Sequence, residues 1–354
     1  MMSFTSFMWV AHRQTKESAY AAGTYLGIAI AGGMAILMGL FIVYSRIGTL
    51  YFGKVCWETV SLISVGADPT WLYVAAVCMF AGFGAKAGAF PVHVWLPDSY
   101  TQAPAPATAL LSAVLSKTGV FGLMLVSLEL LPLQGSWGVF LLVIGVITMA
   151  AGGIRGVMSC NFKTTLAFSS MSQIGFVLTG VGMQVLLAEM AAGFYGDTER
   201  FEEAVGVFGM AVNGTFIHMV NHALVKLVLF MTAGIVLAQA GGYELNKVRG
   251  FGRKKPFLLV TFLLAAAGVG GIPILNGYIS KTLLHESIVE YTSLMGDAAA
   301  LTGFMKAVEG LFLFSGGLTV AYMTKLFVAL FVEKNTDSAL QRKYEEQKQY
   351  ASVF

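Results

Sequence analysis

The sequence is cut into apolar runs of about bilayer length, and this constrains the chain more than any other feature. A helix needs about 20 apolar residues to cross the hydrocarbon core. Eight stretches approach that length. Residues 20–45, 137–154 and 164–188 hold no charge. Residues 70–90 hold only Lys86, residues 105–128 only Lys117, and residues 204–240 only Lys226. Residues 256–280 are uncharged and run into Lys281, while 310–324 are uncharged and continue past Lys325 to Phe331. Residues 1–12 read as the end of a further helix. The expected fold is an all-α integral membrane protein, a polytopic bundle of about eight to nine transmembrane helices.

Composition agrees. Only 12% of residues are charged, half the roughly 25% of a soluble domain, and the mean hydropathy is +0.74. The 41 glycines suit close helix packing in a membrane. A net charge of +3 gives no nucleic-acid signature. Cys56, Cys78 and Cys160 lack the spacing of a disulfide framework, an iron–sulfur cluster or a zinc site, so no cofactor or metal is expected in this chain. The N-terminal stretch lacks a basic region and a small-residue cleavage site, so no secretory signal peptide is expected. Residues 1–333 read as one transmembrane domain with halves of about 1–131 and 137–333. Residues 334–354 read as a charged cytoplasmic tail.

The connecting segments orient the bundle. Arg13 and Lys16, Arg155 and Lys163, and the group Lys247, Arg249, Arg253, Lys254 and Lys255 follow odd-numbered crossings when residues 1–12 count as the first. Glu189, Asp197, Glu199, Glu202 and Glu203 follow an even one. The basic loops therefore share one side, and the positive-inside rule makes that side the cytoplasm of a cell (inner) membrane. Residues 46–69 fall on the other side and read as an amphipathic surface helix.

Ionisable groups inside a spanning segment cost about 2.5–3.5 kcal/mol each at the centre on insertion scales. Lys86, Lys117, Lys226 and Lys281 stand out for that reason. A lysine near a helix end can instead snorkel to the interface. That reading fits Lys325 and stays open for Lys281 and Lys86, but is weak for Lys117 and Lys226 in mid-run. Desolvation disfavours a charged amine, which suits a group that must take up and release a proton.

Two segments carry glycine and proline, GFGAKAGAFPVHVWLP at 82–97 and GVGGIPILNGYISK at 268–281. Proline removes a backbone donor and clashes with the preceding turn, so each helix is expected to break. Broken helices in corresponding positions of two halves suggest a transporter-type inverted repeat; simple kinks are the other reading. His218, His222 and Lys226 fall on one helix face. Two histidines on one face cannot clasp a haem, and Met219 excludes HExxH zinc chemistry. A polar stripe carrying protons fits better, with structural histidines as the alternative.

The run GAKAGAFPVHVWLPDSYTQAPAPATALLSAVLSKTG at 84–119, KTTLAFSSMSQIGF at 163–176, HMVNHALVKLVLFMTAG at 218–234 and GIPILNGYISK at 271–281 resemble the proton-translocating antiporter-like subunits. That family includes large membrane subunits of respiratory complex I, Mrp antiporters, and membrane subunits of formate hydrogenlyase and membrane-bound hydrogenases. The resemblance implies a proton relay with a broken-helix lysine, Lys86, and a bundle-centre lysine, Lys117. It further implies connecting groups His218, His222 and Lys226 and a terminal lysine, Lys281. It covers nearly the whole chain but lacks the family's first four to five helices and its last. It also lacks the membrane glutamate that would face Lys86, so a partner chain supplying these is expected.

The expectation is thus an ion-translocating, non-redox membrane subunit of a complex such as NADH:quinone oxidoreductase or a hydrogenase. It would move protons, or exchange protons for sodium, among other membrane subunits in the lipid bilayer. A stand-alone Mrp-type antiporter subunit and a membrane anchor with an inactive channel are the alternatives.

Overall fold

The structure, a computed structural model, describes residues 2–64, 66, 68–130, 134–296 and 299–347. Residues 1, 131 and 348–354, at the edges of the first half and in the tail, lie outside the described residues. The described residues are mainly helical. Among the described residues the only β pairing is an isolated bridge between Asn161 and Glu244. The helices are α1 Met2–Ala11, α2 Lys16–Ile47, α3 Phe52–Ser64, α4 Thr70–Ala87, α5 Trp95–Gln102, α6 Ala105–Leu130, α7 Gly135–Met158, α8 Phe162–Gly193 and α9 Thr198–Ala240. There follow α10 Leu245–Val248, α11 Pro256–Gly270, α12 Asn276–Leu294, α13 Ala299–Phe327 with a π-helical extension Val328–Val332, and α14 Ser338–Glu346. Among the described residues seven helices are long and apolar enough to cross a membrane, and α1 and α11 are shorter apolar helices. The protein is a multi-pass membrane protein.

Helix ends are set by local chemistry. Thr15 accepts from Ser18 N at 3.1 Å at the start of α2, and Gly48 closes it at φ 75°. Asn161 caps α8 by accepting from Lys163 N and Thr164 N at 3.1 Å each. These caps satisfy orphan donors at helix starts, which matters more in lipid than in water.

Glycine brings α7 and α8 together. A Cβ on Gly152 would stand 2.6 Å from Ser172 N, and one on Gly145 would stand 2.7 Å from Thr179 N. Small residues let backbones approach, which is how helices associate where lipid offers no hydrophobic gain. Of its apolar window α8 has 83% buried, whereas peripheral α2 has 17%. The centre of the bundle is therefore α8, and the side chains it meets there can be polar.

The ends sort by charge. Phe162 N donates to Tyr243 O, and Leu245 N to Cys160 O; Gly250 N and Gly252 N donate to Ala329 O and Leu330 O. Lys163 lies over the Tyr243 ring and donates to Ala103 O. The basic segments of residues 155–163 and 247–255 thus gather at one end, as parity requires. Lys254 meets Glu345 of α14 at 2.7 Å, and together with Gln341 it holds that carboxyl below its usual range. At the opposite end Arg200 donates to Leu294 O at 3.4 Å. The segment 46–69 holds the amphipathic helix α3, with Val55 and Thr59 inward and Trp57 outward.

Both expected breaks are present. Helix α4 stops at Gly88 (φ 87°), and the chain passes Pro91 before α5 begins. Helix α11 stops at Gly271 (φ 80°), and α12 starts at Asn276.

Candidate functional site

Lys117 lies just after a π-helical turn, Leu111–Leu115, within α6. Such a turn displaces a carbonyl from the regular ladder and recurs at functional sites. Ser112 O here accepts from Ser116 Oγ at 2.8 Å and from Lys117 Nζ at 2.6 Å. Lys117 Nζ also sits 2.7 Å from His222 Nδ1. With the amine donating, His222 carries its proton on Nε2, and Nε2 is buried with no side-chain or backbone partner among the described residues. A buried donor of that kind is a place for water.

One turn away on α9, His218 joins the line. Its Nε2 is 3.1 Å from Gln173 Oε1, and Gln173 Nε2 donates to Thr319 Oγ1 at 3.2 Å. The Gln173 carbonyl thus faces His218 Nε2–H, and His218 Nδ1 accepts from Ser280 Oγ at 3.0 Å. The next residue is Lys281. Its Nζ donates to Val269 O at 2.9 Å and Gly270 O at 3.4 Å, the last carbonyls of α11, and lies 4.9 Å from the Phe176 ring centroid. A cation at a helix C-terminus meets the negative end of its dipole. Asn221 of α9 pins the start of α12 by donating to Asn276 O at 2.9 Å.

Lys226 is fully buried and donates to Ser169 Oγ at 2.7 Å and Leu166 O at 2.9 Å. It stands two turns from His218, about 12 Å of rise at 1.5 Å per residue. That displacement is towards the basic end. Lys226 therefore stands off the line Lys117–His222–His218, on its basic-end side.

Lys86 differs from the other three. No described residue gives it a hydrogen bond or ion pair, and it borders a cavity of about 110 Å³ between α1–α2 and α4–α6. Ser116 lines the same cavity, and its Oγ is 3.5 Å from Lys117 Nζ. Gly119 lets α6 touch α4 beside Lys86; a Cβ there would fall 2.5 Å from Ala87 N and Phe83 O.

Lys117, Lys226 and Lys281 all turn their amines inward onto protein groups. Lys325, expected to snorkel, is also held by protein: it caps α7 through Gly156 O, Val157 O and Ser159 O at 2.6–2.9 Å. Among the described residues no carboxylate pairs with Lys86, Lys117, Lys226 or Lys281. Sequence reasoning missed Ser112, Ser116, Ser169, Gln173 and Ser280, which carry no charge signal, and Lys163, which reads as a loop cation but is buried.

These features define a polytopic membrane protein with two broken helices joined by a buried lysine–histidine line. The chain belongs to the family described as NADH:quinone oxidoreductase/Mrp antiporter, transmembrane, whose model matches residues 1–200 and 203–308. It is 30% identical to hydrogenase-4 component B of Escherichia coli, over 94% of this chain and 47% of that protein. It is 28% identical to formate hydrogenlyase subunit 3 of Escherichia coli, over 94% of this chain and 58% of that protein. The chain thus spans about half the length of the curated relatives it matches. Two solved structures share its fold. One is an archaeal membrane-bound sulfane sulfur reductase, with TM-score 0.75 and 21% identity, covering 96% of this chain and 63% of the other. The other is an Mrp complex from Dietzia, with TM-score 0.74 and 19% identity, covering 94% and 56%.

Proposed function

We propose that this chain is a proton-translocating membrane subunit of a redox-driven complex of hydrogenase or quinone oxidoreductase type. In this reading it has no redox centre of its own, and electron transfer in partner subunits drives it. The contact between Lys117 Nζ and His222 Nδ1 carries the reading. It joins two helices by proton-exchanging groups at a depth where such groups are costly unless used.

The proposed line runs from Lys86 past Ser116 to Lys117, His222, His218, Ser280 and Lys281. Lys226 is its branch to the basic end, which we place in the cytoplasm under the positive-inside rule. Neighbouring lysine charges disfavour each other's protonation in a low dielectric, so a proton on one site gates the next. An inverted repeat relating the two halves is part of this reading. The open cavity at Lys86 supports a further element, a carboxylate from outside the described residues facing that amine. The similarity to an Mrp complex keeps cation/proton exchange as the second reading.

The test is Lys117→Ala in the complex reconstituted into vesicles. Ion translocation should be lost while membrane insertion persists. Normal pumping by this variant would leave only a structural anchor. Sodium dependence of the proton signal would separate exchange from simple proton transfer.

A further inference from the structure

The polar line continues beyond Lys281. His285 follows by one turn on α12 and meets two carboxylates. Its Nε2 is 3.2 Å from Glu309 Oε1 on α13, and its Nδ1 is 3.5 Å from Glu286 Oε1. The side chains of His285, Glu286 and Glu309 are 23%, 45% and 33% exposed, so the cluster stands on the flank of the bundle. Glu309 lies inside the spanning stretch Leu301–Val332, about 12 Å of rise from its start. That start is the end of the bundle where Arg200 meets Leu294, the acidic-loop face.

Aromatic rings separate this cluster from the buried line. Phe176 touches both Lys281 and His218, at 4.9 Å and 5.9 Å. Phe312 packs edge-on against Phe176, with centroids 4.8 Å apart, and the His285 ring lies 6.1 Å from Phe312. Two apolar rings in contact thus pack between the surroundings of Lys281 and those of His285.

We propose that His285, Glu309 and Glu286 form the port through which the proton path reaches the acidic-loop face, with Phe176 and Phe312 as the barrier before it. This rests on the reading of the chain as proton-translocating. When the barrier admits water, Lys281 releases a proton that is relayed to the His285 ring. The protonated ring then gives up an N–H proton to the Glu309 or Glu286 carboxylate it faces, and the carboxylic acid loses it to water. Only N–H and O–H bonds change, and the imidazole returns to its neutral form.

Two measurements on the reconstituted complex test the port. In a background with Cys56, Cys78 and Cys160 replaced by serine, His285→Cys should react with a charged, membrane-impermeant thiol reagent added at the acidic-loop face. Lys281→Cys should not react until Phe312→Ala is added. In transport, His285→Gln keeps a hydrogen-bonding side chain but cannot relay a proton, and should slow translocation roughly a hundredfold. If that variant fails to assemble, Glu309→Gln takes its place with the same loss expected. An inaccessible His285→Cys overturns the port, as does wild-type pumping by His285→Gln while Lys117→Ala is dead. Pumping by Lys117→Ala would instead remove the translocation reading itself, a separate outcome that takes the port with it.

Discussion

The two broken helices are written with the same vocabulary, a glycine-rich run, a proline and a lysine, yet they are wired differently. At the second break Lys281 turns back onto the carbonyls of Val269 and Gly270 that the break releases. At the first break a carbonyl near the helix end is taken by another group: Trp95 Nε1 donates to Ala85 O at 2.7 Å. Lys86 is left facing a cavity with no partner among the described residues. The second half thus satisfies its own backbone with its broken-helix amine, whereas the first satisfies its backbone with an indole and holds its amine open. A lysine already held by fixed dipoles suits one end of a relay, and a free one suits a switch set by an outside charge.

The largest effects should come from deleting each lysine, and they break the comparison if they match in full. Lys281→Ala and Lys86→Ala should both reduce proton translocation by orders of magnitude in vesicles. Their stabilities should part. Lys281→Ala orphans buried carbonyls and should cost about 1–3 kcal/mol, read as a lower melting temperature in detergent. Lys86→Ala loses no bond and sheds a desolvated amine, so its melting temperature should hold or rise. Equal destabilisation by both would end the distinction.

Trp95→Phe addresses the other side of the contrast. It keeps most of the ring's volume but leaves Ala85 O with only its longer bond from Gly88 N at 3.2 Å, and should cost about 0.5–1.5 kcal/mol in the first half. If Lys86 is free to swing in, as Lys281 does at its own break, the loss will be smaller. The comparison would then be one of occupancy, not of design. Ser280→Ala sharpens the second half. It removes the hydroxyl that meets His218 Nδ1 next to Lys281 in the chain, and one such bond, about 0.5–1.5 kcal/mol, corresponds to roughly 2–13-fold in transport rate. An unchanged rate would show that water can stand in for the hydroxyl.

Much of this was legible in the sequence because charge in an apolar run is so costly. Lys117, Lys226 and Lys281 announced themselves, and loop charge alone placed residues 155–163 and 247–255 at one end. Proline and glycine announced both breaks. Less was legible where the signal depends on which helices face each other. Ser169, Gln173 and Ser280 are ordinary small or polar residues until α8, α9 and α12 bring them against a histidine or lysine. The π-helical turn at Leu111–Leu115 has no mark in the sequence. Spacing along α9 gave the shared face of His218, His222 and Lys226, but a shared face on a crossing helix spans depth. Lys325 showed the opposite failing: its place near a helix end implied a headgroup, and three carbonyls at the end of α7 and its cap hold it instead.

The smallest expected effect is the most informative about how the two halves communicate. Ser116 is where the Lys86 cavity meets the central lysine. Its hydroxyl lines that cavity, donates to Ser112 O at 2.8 Å, and stands 3.5 Å from Lys117 Nζ. Removing it should barely change stability, because Ser112 O keeps its shorter bond from Lys117. Translocation by Ser116→Ala should fall only a few-fold, within the roughly 2–13-fold of one hydrogen bond. The decisive quantity is coupling, because mutations in contact through a shared network fail to add, whereas distant ones add. Transport free energies of Ser116→Ala and Lys86→Ala should be non-additive, since both act on one step at one cavity. Those of Ser116→Ala and Ser280→Ala should add, since these hydroxyls serve different breaks. If instead the first pair adds, Ser116 is only packing and the proton leaves the Lys86 cavity by another route. The first half would then be as self-contained as the second.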